Sequence, residues 1–176
     1  MSDEPWLNAG EQRAWRAFLA TSALLHAALD RQLQRDAHLP HAYYMVLAML
    51  SESPGRALRM SSLAELTNSS QSRISHAVAR LEEAGWVRRE QCPSDRRGLL
   101  AVLTDAGFTV LAEAAPGHVR AVREHLFDQL TVEQVRQLEG ICRAVLHKLD
   151  PTNAFPAGQV TEAMRSTASL HEDNAR

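Results

Sequence analysis

A chain of 176 residues holds one domain of ordinary size with short extensions, which excludes a large multidomain enzyme. Hydrophobic residues at 45% and charged residues at 23% are the proportions of a folded globular protein and exclude a wholly disordered or fibrous one. The formal net charge of -2, taken for the whole chain, argues against a polyanionic partner. Aromatics are scarce at 5% and Ala and Leu abundant, a mixture that favours helices over sheets. Arg, His or Glu interrupts every apolar stretch well before the roughly 18 residues of a membrane span, and residues 1–10 lack the basic and apolar regions of a signal peptide. The expectation is a cytoplasmic chain with no membrane partner. Cys92 and Cys142 are too few and too far apart for a disulfide framework, so both are expected as thiols, with no metal and no cofactor.

Over residues 12–35, Trp15, Phe18, Leu25, Leu29 and Leu33 recur at helical spacing with Arg13, Arg16, Arg31 and Arg35 between them, which predicts a long amphipathic helix. Pro40 suits the first turn of a second helix, whose buried side is Tyr43, Val46, Leu47 and Leu50, and Pro54-Gly55 ends it. Ser61 or Ser62 is suited to cap a short third helix with Leu63 and Leu66 inward, before the polar break Thr67-Asn68-Ser69-Ser70. A fourth helix over residues 71–84 places Ile74, Val78 and Leu81 on one side, and Gly85 terminates it. Residues 86–90 and 99–103 read as two short strands joined by a long polar connection over 91–98. Thr104 caps a fifth helix that Pro116-Gly117 is expected to kink or break. Thr131 with Gln134 forms a capping box for the last helix, striped by Val135, Leu138, Cys142, Val145 and Leu149, and Asp150-Pro151 ends it. The polar tail from 152 onward is expected to be flexible.

A short helix, a tight polar turn, a second helix opening with small polar residues and then a hairpin with a basic tip make a winged helix-turn-helix. The fold class is therefore mainly α with a small two- or three-stranded antiparallel β-wing. In this arrangement the second helix fits the DNA major groove and offers its N-terminal side chains to base edges, braced by the first. Ser70, Gln71, Ser72, Arg73, Ser75 and His76 stand there, and Gln, Arg and Ser are residue types that pair with adenine, with guanine, and with bases or phosphates respectively. At the wing tip, Asp95 beside Arg96 and Arg97 weakens phosphate attraction if it is there only for charge, so its task reads as orienting a guanidinium; an oriented Arg suits a narrow minor groove. Arg80 and Arg88 complete the DNA-contact candidates. Arg80 has the alternative of an i, i+3 pair with Glu83, and Arg88 with Arg89 that of a solvated strand face.

Divided by region, the charge changes meaning. Residues 56–104 carry eight Arg against five acidic residues, net +3, and the remainder nets -5. Such segregation leaves one surface able to bind phosphates on an otherwise acidic molecule.

Over residues 24–149 the chain resembles the MarR family of bacterial transcriptional regulators. The resemblance is carried by Ser70-Gln71-Ser72-Arg73-Ile74-Ser75-His76, Arg80-Leu81-Glu82, Gly85-Trp86-Val87-Arg88-Arg89, Pro93-Ser94-Asp95-Arg96-Arg97 and Leu103-Thr104-Asp105-Ala106-Gly107 in that order. It implies a homodimer in which N- and C-terminal helices interlock and each winged helix takes one half-site of double-stranded DNA. Residues 1–150 then form a single domain, with dimerisation helices at about 12–36 and 117–150 and the winged helix at about 40–104. The resemblance makes Arg97 the minor-groove residue and Asp95 its orienting partner. Many relatives carry Thr-Arg where this chain has Ser75-His76, so their base preference does not carry over. The expected function is a repressor released from a pseudo-palindromic operator by a small-molecule effector.

Other readings stay open. Family members bind small aromatic or amphipathic ligands between the dimerisation helices and the winged helix, and His26, Tyr43, Tyr44 and Phe108 are candidates to line such a pocket, with ordinary packing as the alternative. His38, His41, His118 and His125 raise a metal-responsive regulator, although their spacing is not a ligand pattern. Cys92, expected exposed at the wing among Arg residues, raises a redox-responsive one, and Cys142 reads as core. No Gly-rich phosphate loop, nucleophile elbow or HExxH occurs, so an enzyme is not expected. A helical adaptor that does not bind DNA is the remaining rival, and it differs in showing no salt-sensitive duplex binding.

Overall fold

Local capping chemistry starts most of the helices. In the structure, a computed structural model that describes residues 6–92 and 95–150 without the side chains of Arg96 and Arg97, helix α1 spans Ala9–Ala37. Asn8 Oδ1 accepts from the backbone N–H groups of Gly10 and Glu11, and Glu11 returns the bond to Asn8 N at 2.8 Å, so the helix begins earlier than its apolar stripe announces. Pro40 stands at the N-cap of α2 (His41–Ser51), just outside the first turn, and a short 3-10 turn at Pro54–Arg56 follows.

Strand β1 (Ala57–Arg59) runs directly into α3 (Met60–Leu66), with Arg59 at the N-cap. The expected serine cap is therefore absent: the helix starts ahead of Ser61 and Ser62, and no side chain caps it. Ser70 does cap α4 (Gln71–Glu83), its hydroxyl accepting from Arg73 N. Gly85, at φ 75, turns the chain into β2 (Val87–Cys92), which pairs with β3 (Asp95–Leu103). These strands take up most of the connection expected over 91–98. The sheet is antiparallel in the order β1-β3-β2.

Thr104 links the wing to α5 (Asp105–His125): its hydroxyl accepts from Gly107 N at 3.0 Å and donates to Gly85 O at 2.8 Å. A Cβ on Gly107 would lie 2.1 Å from the carbonyl oxygen of Trp86, so only glycine allows the helix to begin this close to the turn. Pro116 does not break α5, which is continuous across it. The helix packs on α1 and α2 through Leu111, Ala114 and Ala121, and this tertiary packing offsets the lost backbone bond. After a 3-10 turn at Phe127–Gln129, α6 (Val132–Leu149) starts with the expected Thr131/Gln134 capping box.

The core lies under the winged helix. Leu47 and Leu50 of α2, Leu63 of α3, Val78 and Leu81 of α4, and Val87 and Ala101 of the sheet are almost fully buried around Leu33 and Leu39. By contrast, α6 buries no residue, and the N-terminal half of α1 exposes Trp15, Phe18 and Leu19. Cys142, expected as core, is exposed because it lies on the outward side of α6, which buries no residue; Cys92, expected exposed, is buried because it is the inward residue ending β2. The tail over 151–176, Pro93 and Ser94 lie outside the described residues. Among the described residues no helix is long and apolar enough to cross a membrane.

Candidate nucleic-acid interface

Helix α4 is divided cleanly. Ile74, Ala77, Val78 and Leu81 are buried and anchor it, which leaves Ser70, Gln71, Ser72, Arg73, Ser75, His76 and Arg80 all exposed at its leading end and along its outer side. The preceding turn is held by its own backbone and side chains. Thr67 Oγ1 donates to Leu63 O at 2.8 Å, Ser69 N donates to Ala64 O at 2.9 Å, and Asn68 takes a left-handed φ of 47, a conformation its short amide side chain tolerates. The small polar residues here therefore do two tasks: some close α3, and Ser70 opens α4.

The far end of α4 is tied to the wing. Glu82 accepts from both the backbone N–H of Arg89 at 2.9 Å and its Nε at 2.7 Å, and these bonds hold the Glu82 carboxyl below the usual carboxylate range. Arg89 is thereby committed to positioning β2. Arg80 donates to Glu83 at 2.8 Å, the pairing open to it from sequence, and Arg88 pairs with Glu90. Both are exposed pairs of the kind worth little in water, so exchanging a carboxylate for a phosphate costs little.

At the tip end of the wing, where β3 begins, Asp95 accepts from Arg59 Nη1 at 3.3 Å. The side chains of Arg96 and Arg97, and with them the expected Asp95–Arg97 contact, lie outside the described residues. Arg59 was not singled out from sequence: it precedes Asp95 by 36 residues, and only the sheet brings them together. Glu82 was equally hidden, since its link to Arg89 crosses the turn between two elements.

A second polar cluster sits where α1, α2 and α5 meet. The rings of His26 and His41 lie 4.7 Å apart, those of His41 and His118 5.6 Å, and those of Tyr44 and His118 4.4 Å. His41 N donates to Asp30 at 2.9 Å. Burial, helped by the neighbouring His41, pushes His118 down to about 4; burial and then His26 lower His41 against the opposing pull of Asp30. Burial, with Glu52 nearby, lifts Tyr44 to about 12. His118 Nδ1 and Gln32 Oε1 are buried without a hydrogen-bond partner. Of the effector-pocket candidates, His26 and Tyr44 belong to this cluster. Phe108 instead carries the Arg56 guanidinium 4.1 Å from its ring centre, and Tyr43 packs against the core on the side of α4 that bears Arg80. Among the described residues no group of three His, Cys, Asp or Glu is arranged to hold a metal ion.

A sequence-family model described as MarR family matches residues 39–98, the span from α2 into the wing. Transcriptional repressor MprA of Escherichia coli (strain K12) is 31% identical over 121 residues, covering 69% of this chain and 67% of that protein. The structure superposes on that of Sco3205, a MarR family transcriptional regulator from Streptomyces coelicolor solved in complex with DNA, with a TM-score of 0.79 and 55% identity, covering 86% of this chain and 98% of that one. The chain belongs to the MarR family. AbsC, another MarR family regulator from Streptomyces coelicolor, matches with a TM-score of 0.77 and 43% identity over 83% of this chain and 98% of its own. The MarR family is one of transcriptional regulators and not of enzymes, and in this MarR protein α5, one of the three helices that frame the polar cluster, is also the helix that leads from the wing toward α6.

Proposed function

We propose that this MarR protein is a homodimeric, sequence-specific binder of double-stranded DNA that represses transcription in the cytoplasm and leaves its operator when a small effector binds. The observation that carries DNA binding is the division of α4: its large apolar residues Ile74, Val78 and Leu81 are buried, and the side chains exposed at its leading end are donors and acceptors suited to base edges and phosphates. The DNA complex of Sco3205, which covers nearly all of that chain, supports it. Ser70, Gln71, Ser72, Arg73, Ser75 and His76 read the major groove, Arg80 and Arg88 exchange their carboxylate partners for phosphates, and Asp95, Arg96 and Arg97 serve the minor groove from the wing. Dimerisation is supported by the exposed Trp15, Phe18, Ile141, Val145 and Leu149, an apolar surface that a second copy would cover. The name of MprA supports repression. The effector reading rests on the His26, His41, Tyr44 and His118 cluster, in which buried His118 Nδ1, without a partner among the described residues, offers a hydrogen bond to a ligand.

Titration of a duplex across a salt series tests the DNA reading. A logarithmic plot of affinity against salt should fall with a slope of about -0.9 for each phosphate neutralised. Absence of duplex binding at low salt would favour the adaptor instead.

A further inference from the structure

We propose that Arg59 is a positioning residue for the wing: by clasping Asp95 it fastens the tip of the β2–β3 hairpin to the strand that leads into the helix-turn-helix. The proposal rests on the DNA-binding reading and adds to it a residue that touches no DNA.

Arg59 occupies a junction. It is the last residue of β1, paired with Leu100 of β3, and it is also the N-cap of α3, the first helix of the helix-turn-helix. Any force on its guanidinium is therefore transmitted to both the sheet and the brace of the recognition helix. Its Nη1 reaches Asp95 Oδ2, at the start of β3, where the register with β2 becomes irregular between Gln91 and Cys92. Residues 96–98 bulge out of the ladder between the Gln91–Leu99 and Cys92–Asp95 pairs, and a two-stranded ribbon by itself is marginally stable. A side-chain tie from the third strand adds a restraint across this bulge.

Gly98 makes room for the tie. A Cβ at this position would lie 3.2 Å from Asp95 Oδ2, 3.3 Å from Arg59 Nη1 and 3.3 Å from Cys92 Cβ, so the ion pair rests on bare backbone with the buried Cys92 beside it. Gly98 has no left-handed φ to explain it. Space for the pair is what the missing side chain provides.

Two consequences follow for binding. An anionic Asp95 close to a phosphate opposes association, and the Arg59 guanidinium compensates that charge from the protein side. A wing held at a fixed angle to α4 also loses less conformational freedom when both enter adjacent grooves.

The test has a DNA-free arm and a DNA arm, on the full chain. Without DNA, amide hydrogen exchange is followed at Gln91, Cys92, Gly98 and Leu99 in the wild type, Arg59→Ala, Asp95→Asn, the double variant, Arg59→Lys and Gly98→Ala, with thermal unfolding measured alongside. Exchange should rise in both single variants, rise no further in the double variant, recover in part with Lys, and rise in Gly98→Ala although both charges remain. With a duplex selected from a random pool by the wild type, Arg59→Ala should weaken binding about two- to fivefold, the range of a half-exposed ion pair. Its salt slope should stay that of the wild type, because no phosphate contact is removed. A slope smaller by about 0.9 would make Arg59 a direct phosphate contact and overturn the proposal. Unchanged exchange at the wing would overturn it independently of whether the wild type binds DNA, which the wild-type titration decides by itself.

Discussion

The winged helix and the helices that flank it are built on opposite terms. Between Leu39 and Leu103 the apolar residues of α2, α3, α4 and the sheet close over one another, and what they leave outside is polar and cationic. In α6 and the first half of α1 the apolar residues face outward: Trp15 is 50% exposed, Ile141 63% and Leu149 73%. The first region is a finished core with a chemical surface. The second presents its apolar side chains outward, the surface that the proposed dimer would cover. The main core and the DNA-facing surface therefore reside in one part of the molecule and the outward apolar surface in another, and substitutions should separate them.

The largest separation is expected from Ile141→Glu combined with Val145→Glu. A charge on each turn of the outward face should give a monomer by sedimentation, and operator affinity should fall by about 10²- to 10⁴-fold because two half-sites are no longer bound by one molecule. Spectroscopic signals of the winged helix should remain. In the finished core, Leu81→Ala should instead lower unfolding free energy by about 2 to 5 kcal/mol in urea, as removal of a fully buried Leu does. Gly107→Ala, which drives a methyl group into the Trp86 carbonyl, should cost about 1 to 3 kcal/mol in the same assay.

Arg97→Ala should leave unfolding unchanged and weaken operator binding by about 1 to 3 kcal/mol at fixed salt, the usual loss for one specific contact. Equal binding would remove Arg97 from the interface.

The smallest effect lies at the joint between the two regions. In the unfolded chain an imidazole titrates near 6.5, whereas folded His118 titrates at about 4, so between these values the unfolded state binds more protons. The stability that the neutral ring contributes is complete above pH 6.5 and is lost as pH falls toward about 4. His118→Phe should flatten the dependence of unfolding free energy on pH across that window; an unaltered profile would mean that other groups dominate it.

What could be read in advance followed the range of the interactions involved. Thr104 and Thr131 announced their helices because a cap is settled within three residues, and the spacing of Ile74, Val78 and Leu81 announced which side of α4 is buried. Strand β1 had no such signature: Ala57, Leu58 and Arg59 become a strand only by pairing with Val102, Ala101 and Leu100. The two cysteines were assigned the wrong environments for related reasons. Cys92 follows from how far the hairpin extends, and Cys142 from the burial of no residue on α6, which its apolar spacing alone does not reveal. Pro116-Gly117 was expected to kink or break α5; the helix does not break there, and it packs against α1 and α2. In the candidate site, the exposed residues of α4 were legible as a group, but Arg59 and Glu82 were not, since both act across elements that only the folded chain brings together.

The most direct measurement is selection of bound duplexes from a random pool by the wild-type chain, followed by footprinting on the enriched sequence. The account predicts a pseudo-palindrome protected on both halves, with half-site centres about 10 base pairs, or roughly 34 to 36 Å, apart. Recovery of no enriched motif, or a footprint without two-fold symmetry, would contradict it.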